Sequence, residues 1–164
     1  MSNDWPHIAD ALRQEIAEYG GLLHLFEQQQ QSLFARDADA VLRLSGEIEV
    51  HVRGLHEHRR NREALVAAFA AEHAQPVTAT LRSLLPCFAA EVRPLLEALI
   101  SEINVLIHRV RRVSRHNHSL LTRALESQQQ LLRALRPDSF TQTYAPNGRM
   151  GLAAPRHEPA FKVA

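Results

Sequence analysis

Residues 96–135 read LEALISEINVLIHRVRRVSRHNHSLLTRALESQQQLLRAL, and this stretch decides the fold. Leu96, Leu99, Ile103, Leu106, Val110, Val113, Asn117, Leu120, Ala124, Ser127, Leu131 and Leu135 follow one another at alternating steps of three and four. That spacing keeps side chains on one face of an α-helix. About 40 residues at ~1.5 Å each make a rod roughly 60 Å long. A helix of this length belongs to a bundle or a coiled coil, and it favours a partner-binding protein over an enzyme.

Working outward, two earlier segments carry helical stripes. The first helix spans residues 6–35, with Pro6 in the first turn, where its missing N–H costs nothing. Its stripe runs through Ile8, Leu12, Ile16, Tyr19, Leu23, Phe26, Gln30 and Leu33, interrupted only by the helix-weakening Gly20 and Gly21. The segment RDADAV breaks the period, and Asp37 or Asp39 suits the N-cap of a second helix over 39–73. That helix's stripe is Val41, Leu44, Ile48, Val52, Leu55, Arg59, Arg62, Val66 and Phe69, polar near its middle, where looser packing is expected.

Residues 74–77 form a connection, Thr78 caps a short helical turn through Leu85, and the long helix occupies 88–135. Pro94 falls in its first turn, or kinks it if the helix already begins near Pro86. The expected fold is all-α: an elongated antiparallel three-helix bundle over 1–137, with one long C-terminal helix. Residues 138–164 hold Pro146, Pro155 and Pro159 without an apolar period and read as a flexible tail. The long helix outruns its partners, so part of its apolar face needs cover from another helix, subunit or client.

Composition narrows the function. The chain is 164 residues, 45% hydrophobic but only 5% aromatic, the Leu- and Ala-rich balance of a helical bundle. A formal net charge of +1 gives no bulk attraction for nucleic acid. Cys87 is the only cysteine, which fits a reducing compartment. The N-terminal MSNDWPHIAD lacks the basic and apolar regions of a signal peptide, and no run of 18 apolar residues occurs. The expectation is a cytoplasmic protein without direct membrane insertion.

Chemistry is sparse. His51, His56 and His58, and His116 and His118, lack the i, i+4 spacing that brings two imidazoles together, so no metal site is expected. The basic runs HEHRRNR (56–62) and HRVRRVSRH (108–116) contain no aromatic and read as solvated faces that steer an acidic partner. No phosphate loop, nucleophile elbow or Cys/His arrangement stands out, so neither catalysis nor a cofactor is expected. Asn117 interrupts the apolar seam. It serves either as a hydrogen-bonded register residue or as a contact to a client's amide groups.

The segment RHNHSLLTRALESQQQLLRALRPDSFTQTYAPNG, residues 115–148, resembles the C-terminal signature of the FlgN family of flagellar export chaperones. Asn117, Leu120, Leu121, Leu131, Leu135, Pro137, Thr143, Tyr144 and Gly148 stand at the positions of that signature. The resemblance implies a cytoplasmic chaperone that binds hook-associated proteins of the FlgK and FlgL type. It would hold their C-terminal segments unassembled and deliver them to the flagellar type III export apparatus. It further implies a client-binding region toward 115–137, with Asn117, Leu120, Leu121, Leu131 and Leu135 as client contacts. Tyr144 would dock on the export-gate protein, of the FlhA type. The alternative is a structural or adaptor coiled coil that self-associates, and a nucleic-acid-binding bundle is more distant still.

Overall fold

The computed structural model describes residues 5–135 and the backbone of two short strands, 142–144 and 150–152. Helix α1 spans Trp5–Ala35, α2 Ala38–Glu72, α3 Leu81–Leu84 and α4 Arg93–Leu135, with a 3-10 turn at Leu85–Cys87. Strands β1 (Gln142–Tyr144) and β2 (Met150–Leu152) pair antiparallel, Tyr144 opposite Met150. The chain divides into two compact units, Met1–Ser119 and Leu120–Ala164. The all-α bundle lies in the first. The expected flexible tail over 138–164 lies outside the described residues except for the two paired strands, which no apolar period in the sequence announces.

The α1–α2 turn is built locally. Asp37, with extended backbone, accepts the Ala40 N–H at 3.0 Å and caps α2. Arg36 takes the left-handed conformation that closes the preceding helix, at φ 57°. The two helices then run antiparallel, and Gly21 of α1 faces His51 of α2. A Cβ there would stand 2.8 Å from His51 Cε1, so the glycine that weakens α1 in isolation makes room for α2.

At the other end of the bundle Phe88 has extended backbone, and its ring stacks on Phe69 with centroids 4.0 Å apart. This corrects the expected start of the long helix. Phe88 turns inward to close the end of the core, and α4 begins five residues later. Arg93 secures the junction by donating to the carbonyls of Phe88 at 2.9 Å and Pro86 at 3.0 Å. Pro94 is then the second helical residue, where no intrahelical N–H is required, and it produces no internal kink. Thr80 rather than Thr78 caps α3.

The core combines Ile8, Leu12, Leu22 and Leu23 of α1 with Ile48, Leu55, Val66 and Phe69 of α2. Leu81, Leu84 and Phe88 close one end, and Leu96, Leu99, Ile103 and Val110 of α4 complete it. The polar middle of the α2 stripe has a specific partner. Glu15 of α1 is 1% exposed, and Arg62 donates to its carboxylate from the facing helix. Tyr19, one turn on, has its pKa raised by burial first and by Glu15 second, against the opposing influence of Arg59, Arg62 and Arg111.

Arg62→Ala strands a buried carboxylate and is expected to destabilise the bundle by about 3 kcal/mol, read by chemical denaturation. The double change Glu15→Met/Arg62→Met is expected to recover most of that loss. An Arg62→Ala protein as stable as the original would contradict the assignment.

Candidate functional site

The α4 stripe changes character along its length. Leu96, Leu99, Ile103, Val110 and Asn117 are buried; Leu106, Val113, Leu120 and Leu121 are half-buried. From Thr122 to Leu135 every residue is exposed. Leu125, Leu131, Leu132 and Leu135 expose 56%, 63%, 54% and 71% of their surface, too much apolar area on one helix end to be incidental. All four belong to the Leu120–Ala164 unit.

Leu125 and Leu132 lie outside the stripe read from the sequence. Their signal was present as a second seam one residue out of step, Leu121–Leu125–Leu132 at spacings of four and seven. The two seams together make an apolar face wider than a simple coiled-coil ridge.

Asn117 marks the last buried position of α4. Its Nδ2 donates to the Phe26 carbonyl at 2.8 Å and to Gln29 Oε1 at 3.0 Å. Gln29, itself buried, donates to Ser45 Oγ at 3.0 Å, and Ser45 donates to the Val41 carbonyl at 2.8 Å. One amide chain therefore ties α4 to α1 and α1 to α2. Asn117 Oδ1 has no hydrogen-bond partner among the described residues. Of the two roles open to Asn117, this geometry is that of a register residue. Asn117 belongs to the Met1–Ser119 unit, and Leu131 and Leu135 to the Leu120–Ala164 unit.

Tyr144 closes β1, with its backbone paired to Met150. The remaining candidates keep to the surface. His51 Nε2 donates to the Glu18 carbonyl at 2.7 Å and stands 3.0 Å from Glu18 Oε2, while His58 Nε2 is 3.8 Å from Glu18 Oε1. Glu18 thus bridges two histidines a helical repeat apart, but no metal-binding group of three or more His, Cys, Asp or Glu forms among the described residues. Cys87 is half-buried beside the Phe88 turn. No helix among the described residues is long and apolar enough to cross a membrane.

The long helix is buried along the first part of its stripe and bare at its leucine-rich end. Compared with protein families, the sequence matches the FlgN protein family over residues 5–151. The chain belongs to the FlgN family. That family comprises flagellar export chaperones that bind hook-associated proteins. No curated protein and no solved structure matches the chain. The family match covers the whole helical bundle, all of β1 and all but the last residue of β2, so it takes in the bare end of α4 and Tyr144 alike.

Asn117→Leu in this FlgN-family chain removes the partner of the buried Gln29. It is expected to cost about 1–3 kcal/mol, measured by chemical denaturation. Adding Gln29→Leu is expected to restore part of the loss, because both polar groups then leave the seam together. Stability unchanged by Asn117→Leu alone would contradict the register role.

Proposed function

We propose that this protein is a chaperone for a hook-associated protein of the FlgK or FlgL type, and that it captures the client's C-terminal segment on the end of α4. The exposed leucines there carry the reading. Leu120, Leu121, Leu131 and Leu135 form the client contact, extended by Leu125 and Leu132. A polymerising subunit exposes amphipathic terminal helices, and covering one in a helix-on-helix interface blocks both aggregation and early assembly. Export requires the cover to come off again, which suits an interface of a few leucines better than an extensive one. Tyr144 is the contact to the export-gate protein of the FlhA type. An aromatic ring with a hydroxyl offers apolar contact together with one directed hydrogen bond.

The double change Leu131→Ser/Leu135→Ser tests the client face. Both side chains are exposed, so helicity and thermal stability are expected to stay near the original. Each leucine buried against a client contributes ~1.5–3 kcal/mol, so affinity for the client's C-terminal peptide should fall by about a hundredfold or more in calorimetric titration. Unchanged affinity would move the interface elsewhere. If the variant instead dissociated an oligomer while client binding was absent throughout, the leucines would serve a self-associating adaptor.

Tyr144→Ala is expected to separate the two contacts. Client affinity should remain at its original value, binding to the cytoplasmic domain of the gate protein should fall at least tenfold, and export of the client should drop in cells. Equal loss of both bindings would indicate a folding defect, and unchanged gate binding would remove the docking role.

A further inference from the structure

The middle of α4 carries a charge pattern that folding does not require. Between Glu102 and Glu126 there is no carboxylate, whereas Arg109, Arg111, Arg112, Arg115 and Arg123 are all present. Arg109, Arg111, Arg112 and Arg115 are exposed and lie in the bundle unit. They stand three and four residues apart, so like charges repel along one helix face.

Elsewhere the same protein avoids this arrangement. Arg13 pairs with Asp10, Arg43 with Glu47 and Arg59 with Glu63, each within one helical turn. Of these four arginines, Arg109 alone has an ion-pair partner among the described residues, Glu27 of α1 at 3.8 Å. Arg115 turns its Nε onto the Arg111 carbonyl instead of an acid. The band extends toward α2, because Arg111 acts on the Tyr19 hydroxyl together with Arg59 and Arg62. On α2, a shallow cleft is lined by His56, Arg59 and Arg60 together with Glu63, the partner of Arg59.

We infer that Arg109, Arg111, Arg112 and Arg115 of α4 form a docking surface for an acidic helix of a partner protein, distinct from the leucine face. Charge complementarity names the occupant. Guanidinium groups recurring every three to four residues match carboxylates at the same spacing on a facing helix, and they grip them bidentately. The chain's own tail does not fit, since residues 136–164 hold four basic side chains against two acidic ones. Nucleic acid fits poorly as well: α4 contains no Phe, Tyr or Trp for base stacking, and the net charge of the whole chain is only +1.

The test uses the full chain and a fluorescent alanine-based helical peptide with glutamates at i, i+3, i+4 and i+7. A second peptide pairs each glutamate with a lysine. Anisotropy titration at low salt is expected to show binding of the acidic peptide at least tenfold tighter than the paired one, weakening as salt is raised. Arg111→Gln/Arg112→Gln/Arg115→Gln should lose that binding at least tenfold while keeping its helicity and its thermal transition. Arg43→Gln, on α2, should bind as the original does. Equal binding of the acidic peptide by the triple variant would overturn the proposal. So would tighter binding of a single-stranded oligonucleotide or of anionic lipid vesicles at equal charge, which would reassign the band to those partners. A dimer that forms at low salt and is lost in the triple variant would overturn it in favour of a second copy.

Discussion

Helix α4 presents one apolar stripe over 43 residues, and the bundle buries only the part that ends at Asn117. The rest of the architecture follows from that inequality. Helices α1 and α2 are 31 and 35 residues long and cover each other as well as the first part of α4. Gln29, the partner of Asn117, stands six residues before the end of α1, whereas α4 continues for 18 residues beyond Asn117. Helix propensity sustains those last turns, for they are rich in Leu, Gln, Ala and Arg. Among the described residues, none of these last 18 positions is buried. An apolar face left exposed in this way supports the proposed capture of another chain's helix.

Two buried polar arrangements keep that inequality fixed. A bundle of Leu, Ile and Ala alone tolerates axial slippage, because one turn of helix resembles the next. The Glu15–Arg62 pair sets α1 against α2, and the Asn117–Gln29–Ser45 chain sets α4 against both. Each costs stability relative to an ideal apolar core, and each penalises any register that would leave its members unpaired. Slippage of α4 by one turn would either draw the leucine face inward or expose core residues such as Val110. On the proposed function, the polar contacts set how much leucine surface is left for a client.

Much of this was legible in the sequence, and the misses have physical causes. Every α2 position that is buried, apart from Ala70, lay on the stripe read from spacing, because Leu, Ile, Val and Phe announce their face. Arg59 and Arg62 read as loose packing, since a stripe does not reveal that Glu15 waits on the opposite helix. Gly21 read as a weakness for the same reason, its purpose residing in His51, 30 positions away. The start of α4 was placed early because Phe88 is apolar and follows a proline, and only the stack on Phe69 explains why its backbone is extended. Leu125 and Leu132 escaped notice because a single-seam reading assigns each helix one partner. The C-terminal motif identified the family, but it leaves Asn117 open between bundle register and client contact; the distances to Phe26 and Gln29 show it bonded within the bundle.

The proposed function requires that the bare end of α4, and not the bundle core, receives the client. Backbone amide exchange of the full chain, followed by mass spectrometry with and without the C-terminal segment of a hook-associated protein, tests it most directly. Without client, residues 120–135 should exchange faster than residues 96–113, because they lack tertiary cover. Saturating client should slow exchange across 120–135 and leave 96–113 unchanged. Protection that appeared instead on α1 and α2, with 120–135 still exchanging freely, would contradict the claim.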